Sequence, residues 1–146
     1  MNEFARELLT ICRAFGMFER EAVCCGTVSV PQCVALQALL EGERDVSGLA
    51  EMLGVTAGAA TRLVDGLERR GFVARRRTDE DRRRVVVSLS GAGEAEAARL
   101  RDMTARALGA VLERVPEDKR ALVVEAVGLV SAAVLSARGD ISGCCG

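Results

Sequence analysis

The sequence lacks histidine, tryptophan and tyrosine altogether. Without histidine, the chain cannot form a Ser-His-Asp or Cys-His catalytic site, and it offers no imidazole ligand to zinc or haem. Four phenylalanines are the only aromatic residues, 3% of the chain, so a platform that stacks single-stranded bases is not expected. There is also no Cys-X-X-Cys pair and no glycine-rich phosphate loop. These absences predict a protein that is not an enzyme; a cysteine-dependent enzyme is the remote alternative.

Acidic and basic residues nearly cancel, and no targeting segment is recognisable. The 146 residues carry a formal net charge of −1, with 49% hydrophobic and 28% charged residues, which is typical of one folded domain. Residues 1–7 lack the basic stretch and apolar core of a signal peptide. The least charged stretch, 121–137, is short for a membrane span. We therefore expect a cytoplasmic protein with reduced cysteines and no membrane association.

Apolar spacing predicts two helices in the first third of the chain. Between residues 3 and 23, apolar side chains recur every three or four positions, which places them on one face of a helix. They are Phe4, Leu8, Ile11, Phe15 and Phe18. Ser29 and Pro31 then begin a second helix that extends to about residue 41.

Residues 45–71 have the pattern of two short helices joined by a tight turn. The first presents an apolar face and ends at Gly54, because glycine favours helix termination. Thr56 is positioned to cap the second helix, which Gly71 ends. The inward-facing residues are Leu49, Met52, Leu53 and Val55 in the first helix, and Ala59, Ala60, Leu63, Val64 and Leu67 in the second. This arrangement predicts a helix-turn-helix motif.

A β-hairpin rich in arginine is predicted directly after this motif. Residues 72–77 and 85–89 alternate or are β-branched, as in strands, and the polar segment 78–84 forms the turn between them. Residues 62–84 contain nine arginines and five acidic residues, which gives this segment a net charge of +4. The rest of the chain therefore has a net charge of −5. Such a concentration of arginine predicts a phosphate-binding surface. A solvated surface paired by its own acids is the alternative.

The last third of the chain predicts a dimer. Ser90 caps the first of two helices over residues 91–138, and Pro116 separates them. Between 121 and 137 only Glu125 is charged, so the last helix is apolar on more than one face. A central core helix of a monomer is the alternative, but it is hard to arrange for the terminal helix of so small a domain, so burial against a second copy is favoured.

The sequence resembles the MarR family of winged helix-turn-helix transcriptional regulators. The resemblance is carried by VSGLAEMLGVT at 46–56, TRLVDGLERRGFV at 61–73 and the wing segment DEDRR at 79–83. It implies a mainly α fold with a small β-hairpin wing, in which one MarR-like domain fills residues 1–146. Residues 1–30 and 91–140 would contain the dimerisation helices and 31–90 the DNA-binding lobe, followed by a cysteine-containing tail at 139–146. It also implies a homodimer that places two recognition helices in successive major grooves of double-stranded DNA with a palindromic operator.

Matching positions identify candidate DNA-binding residues. On the exposed N-terminal side of the recognition helix they are Thr56, Ala57, Gly58, Thr61 and Arg62. Small residues there permit close approach, and Arg62 suits a phosphate or a guanine edge. In the wing they are Arg75, Arg77, Asp81, Arg82, Arg83 and Arg84. We expect Arg83 to enter the minor groove and Asp81 to orient it by a charge-assisted hydrogen bond. Simple turn chemistry is the alternative role for Asp81.

Cysteines are the candidate effector-binding residues. The chain has six, and Cys12 follows Ile11 on the inner stripe, where a thiol packs as a small hydrophobe. The other five form two doublets and a single residue, which are the candidate ligands Cys24, Cys25, Cys33, Cys144 and Cys145. About three soft thiolates suit trivalent arsenic or antimony, and mercury, cadmium and Cu(I) are also soft enough. Zinc would need four ligands pooled from separate clusters.

The resemblance implies a repressor, and together with the cysteines it predicts one that needs no cofactor and leaves its operator when thiolates bind a soft metalloid. Oxidation of thiols by peroxide, quinone or copper is one alternative trigger. Some MarR relatives sense hydroperoxides through a cysteine of the N-terminal helix assisted by tyrosines, a place that Cys12 could fill, although this chain has no tyrosine. Small organic acids, which other relatives bind in a cleft, are the second alternative.

Overall fold

The structure is a computed structural model that describes residues 2–15, 23–24 and 28–137. Along the chain it contains α1 (Glu3–Ala14), β1 (Val23–Cys24), β2 (Val28–Ser29), α2 (Val30–Leu39), β3 (Arg44–Asp45), α3 (Val46–Leu53), α4 (Ala57–Arg69), β4 (Val73–Arg77), β5 (Val85–Leu89), α5 (Gly91–Glu113) and α6 (Glu117–Ser136). The predicted fold class, mainly helical with a β-hairpin wing after a helix-turn-helix, is confirmed. The chain divides into two compact units, Met1–Met103 and Thr104–Gly146.

Side-chain caps mark the helix starts in the first unit, and Ser29 lies where the sequence predicted a start. Ser29 and Gln32 form a reciprocal capping box at the start of α2. Asp45 accepts a hydrogen bond from the Gly48 N–H at 2.7 Å, which caps α3. Each such cap satisfies backbone donors that have no partner within the helix. The starts of α2 and α3 are therefore set by hydrogen bonds between residues close together in the sequence.

One hydrophobic core holds α2, α3, α4, the sheet and the first turns of α5 together. Its largest fully buried side chains are Leu36, Leu49, Val64, Leu67, Val87 and Leu100. In the three-stranded antiparallel sheet, β5 lies between β3 and β4, with Arg75 opposite Val87. Because β4 and β5 are the wing strands, the core fixes the base of the wing against the helix-turn-helix.

Three short strands, β1, β2 and β3, were not predicted from the sequence. The predicted helix over residues 3–23 is wrong at its C-terminal end, because α1 ends at Ala14 and Val23–Cys24 pairs with Val28–Ser29. Phe18 lies outside the described residues. Sequence reasoning also missed β3, in which Arg44 and Asp45 pair with Val87 and Val86. Backbone pairing decides both cases: β1 pairs with the nearby β2 in place of helical structure, and β3 pairs with the distant β5.

The second unit contains the C-terminal part of α5 and all of α6. The Arg120 guanidinium donates hydrogen bonds to the carbonyl oxygens of Val115 at 3.0 Å and Glu113 at 2.9 Å. These contacts satisfy carbonyl groups at the end of α5 and stabilise the turn into α6. Within the described ranges, no helix is both long and apolar enough to cross a membrane.

Candidate nucleic-acid interface

The turn between α3 and α4 exposes the N-terminal side of α4. Gly54 has the left-handed conformation, with φ of +67°, which ends α3 at no steric cost. Thr56 then accepts a hydrogen bond from the Ala59 N–H at 3.1 Å and begins α4. The buried face of α4 consists of Ala60, Val64 and Leu67. All five recognition-helix candidates lie outside this face and are exposed: Thr56, Ala57, Gly58, Thr61 and Arg62.

Most of these five residues offer a smooth surface rather than long side chains. The hydroxyl of Thr61 donates to the Ala57 carbonyl at 2.9 Å, so its proton is used within the helix. A Cβ added at Gly58 would meet nothing within 4 Å, so this position is open. Arg62 is the long charged side chain of the group, and it forms no ion pair with any residue in the described part of the chain. It is therefore available to a phosphate or a base edge.

The wing turn is held rigid by its own polar groups. The Thr78 hydroxyl donates to the Asp81 carbonyl at 2.8 Å and accepts from the Asp81 N–H at 3.2 Å. Asp81 accepts a hydrogen bond from the backbone N–H of Arg83 at 2.9 Å. This is a bond to the backbone of Arg83, as in simple turn chemistry, because an Asp carboxylate in a turn reaches the N–H two residues on. Asp81 positions Arg83 through the turn.

Two of the three strand arginines are paired with acids. Arg75 forms ion pairs with Asp65 and Glu68 of α4. Arg76 forms hydrogen bonds with both carboxylate oxygens of Glu43. The assignment of Arg75 to DNA binding stays a prediction, and its guanidinium is held by two carboxylates of the protein itself. Sequence reasoning missed these partners, although Asp65 and Glu68, three positions apart on one helix, share a face.

The remaining wing arginines extend from the turn. Arg77 donates to the Arg82 carbonyl at 3.3 Å, and Arg84 lies 3.5 Å from a carboxylate oxygen of Asp45. Arg82 and Arg83 are exposed, and within the described residues neither forms an ion pair. Arg82 and Arg83 are thus exposed cations at the wing tip, beside the acidic residues Asp79, Glu80 and Asp81.

The cysteine candidates are only partly described. Cys33 is 2% exposed within the core, where it accepts a hydrogen bond from the Gln37 amide nitrogen at 3.2 Å. The backbone of Cys24 lies in β1, opposite Val28. Cys25, Cys144 and Cys145 lie outside the described residues. In the ranges that are described, no group of three or more His, Cys, Asp or Glu side chains is arranged to hold a metal ion.

Comparisons with known proteins agree with this geometry. The sequence profile of the MarR family matches residues 27–84. An uncharacterized HTH-type transcriptional regulator of Bacillus subtilis, YfiV, is 33% identical over 114 residues, which cover 77% of this chain and 71% of that protein. The organic hydroperoxide resistance transcriptional regulator of Bacillus subtilis is 34% identical over 67 residues. This stretch covers 45% of this chain and 46% of that protein.

A solved structure gives the same result over nearly the whole chain. A MarR family protein from Bacillus stearothermophilus superposes with a TM-score of 0.76 and 28% sequence identity, covering 92% of this chain and 98% of that one. Its match extends beyond the lobe to both sides of the helix-turn-helix. From the winged helix-turn-helix, the arginine wing and these similarities, we conclude that this chain belongs to the MarR family of DNA-binding transcriptional regulators.

Proposed function

We propose that this protein is a homodimeric repressor that binds a palindromic operator in double-stranded DNA. One observation carries the proposal: a recognition helix with an open N-terminal face is joined by ion pairs to a wing whose tip exposes arginine. In this role α4 enters the major groove and contacts base edges through Arg62 and the small residues around it. Arg83 enters the adjacent minor groove, where negative potential is strongest in narrow A·T tracts.

Arg62→Ala and Arg83→Ala test this assignment. Each change is expected to lower operator affinity about tenfold and to reduce the slope of log K against log salt by about one, because each removes one cationic contact. The measurement is fluorescence anisotropy on an operator selected by the wild-type protein from a random duplex pool. Arg6→Ala removes the same charge from α1, where Arg6 pairs with Glu7, and serves as the control. Wild-type affinity in both variants would contradict the assignment, and failure of the wild type to select any duplex would overturn the proposed function.

We further propose that the protein leaves its operator when cysteine thiolates bind an effector, and that this effector is trivalent arsenic or antimony. The composition supports this, since the chain has six cysteines and no histidine. The backbone also suggests how effector binding could be coupled to DNA binding. Cys24 lies in β1, which pairs with β2, and β2 is followed directly by α2, the helix that contains Cys33. An ion that recruits Cys33 must draw it out of the core shared by α2, α3 and α4. Capture would therefore lower the population of the DNA-binding arrangement.

Arsenite is the first ligand to titrate, with the reduced protein bound to its operator and a non-thiol reductant present. We expect release at about two or fewer equivalents per subunit, since about three soft thiolates suit one such ion. Replacing Cys24, Cys25, Cys144 and Cys145 together by alanine should abolish release, whereas Cys12→Ala should leave it unchanged. An unaltered response of the fourfold variant would exclude the two doublets as the ligands.

Thiol oxidation is the second candidate trigger. The similarity to a regulator of organic hydroperoxide resistance favours it, because that relative shares a 67-residue stretch at 34% identity. If arsenite leaves the complex intact and an organic hydroperoxide dissociates it reversibly, the trigger is oxidation to a disulfide or sulfenic acid.

A further inference from the structure

Arg75 connects the wing to the recognition helix through side chain and backbone. Its terminal nitrogens lie 2.6 Å from Asp65 Oδ1 and 2.5 Å from Glu68 Oε2. Its backbone N–H also faces Glu68 Oε1, at 3.4 Å. The Arg75 side chain is 24% exposed, against 49% for Asp65 and 42% for Glu68, so the cation lies beneath the two carboxylates. We call these three residues the Arg75 clamp.

Without Arg75, the recognition helix would present two unpaired carboxylates, Asp65 one turn after Arg62 and Glu68 near the C-terminal end of the helix. Asp65 lies three residues after Arg62, and Glu68 three residues after Asp65, so successive turns of α4 carry them. An unpaired carboxylate on this helix repels phosphate, and Asp65, one turn after Arg62, also competes for the Arg62 guanidinium. A planar guanidinium that bonds two carboxylates at once removes both effects and is better suited to this than an ammonium group.

The clamp does not act as a proton switch. Burial works against the charged form of Arg75, but the hydrogen bonds from its guanidinium to Asp65 and Glu68 outweigh this and raise its pKa. The side chain therefore stays cationic throughout the pH range in which a folded protein binds DNA. The charge and the hydrogen bonds of the clamp therefore stay the same over this pH range.

We propose that Arg75 is a positioning residue for operator binding: it neutralises Asp65 and Glu68 and fixes β4 against α4, so that the recognition helix and the wing tip bind one duplex together. This inference rests on the proposed function and refines it. It differs from a direct phosphate contact, since the partners of Arg75 are on the protein itself. The two roles predict opposite results when the acids are removed together with the arginine.

The decisive experiment compares Arg75→Gln with the triple variant Asp65→Asn, Glu68→Gln, Arg75→Gln on the selected operator. Arg75→Gln is expected to lower affinity about tenfold, because it leaves two carboxylates unpaired. In the triple variant no such charge remains, and affinity should return to within about threefold of the wild type with an unchanged salt slope. Arg75→Lys keeps the charge without the bidentate geometry and should give an intermediate loss.

Each outcome decides between the two roles. If the triple variant binds as weakly as Arg75→Gln, with a salt slope lower by about 0.9, Arg75 contacts phosphate and the inference is wrong. A loss of affinity in all variants that follows a loss of thermal stability would reduce the clamp to a structural contact and would also overturn the inference. Failure of the wild type to bind any operator is a separate result, because it rejects the proposed function before any variant is compared.

Discussion

If the protein is the homodimer proposed above, Leu129→Glu is expected to convert it to a monomer and to lower operator affinity by about 100-fold or more, because a single lobe loses the second half-site. Leu129 on α6 is 67% exposed within one subunit, and Leu122, Val127 and Leu135 on the same helix are each at least 60% exposed. Exposed apolar side chains on several sides of one helix are typical of a surface that packs against another subunit. In a two-fold dimer each substitution is present twice, so two unpaired carboxylates would have to be buried, which costs several kcal/mol.

Sedimentation equilibrium measures the change directly. Ser47→Glu is a suitable control, since it adds the same charge at an exposed position in the first turn of α3. Leu129→Ala combined with Val127→Ala should give a smaller increase in the dimer dissociation constant, which separates interface loss from misfolding. A Leu129→Glu protein that sediments as a dimer with the wild-type dissociation constant would exclude α6 from the interface.

Gly93→Ala is expected to destabilise the first unit by about 2–4 kcal/mol, the second large effect, because overpacking against the backbone is costly. A Cβ added at Gly93 would lie 1.8 Å from the carbonyl oxygen of Phe72. That oxygen also accepts a hydrogen bond from the Ser90 N–H at 3.0 Å, so moving it away sacrifices the bond that docks α5 on the start of the wing. Helix propensity favours alanine over glycine by about 1 kcal/mol, which is too little to reverse the sign.

Urea denaturation of the two proteins tests this, with Gly91→Ala as the matched control. A Cβ at Gly91 would meet no atom within 4 Å, so this variant should be neutral or slightly more stable. Because Phe72 directly precedes β4, Gly93→Ala should also weaken operator binding beyond what its unfolded fraction explains. Equal midpoints for the two glycine variants would show that α5 does not pack on Phe72 as described.

Local sequence signals predicted the framework of the DNA-binding lobe. Gly54, Thr56, Gly71 and Ser90 each mark a helix boundary where the structure has one. The apolar period of α4 correctly predicted that Ala60, Val64 and Leu67 are buried. These features depend on groups within about one helical turn of each other, and capping and periodicity act over that distance.

Ion pairs and strand pairs between residues distant in the sequence could be found only from the tertiary structure. The density of arginine predicted a basic surface, but only the packing of β4 against α4 determined that Arg75 pairs with Asp65 and Glu68. Similarly, β3 forms because Arg44 and Asp45 are brought beside β5. The sequence by itself therefore determined the winged helix-turn-helix and its family, whereas the tertiary structure decided which arginines remain available to DNA. The physical reason is that ion pairs and strand pairing depend on the distance between groups in space, which a linear pattern does not contain.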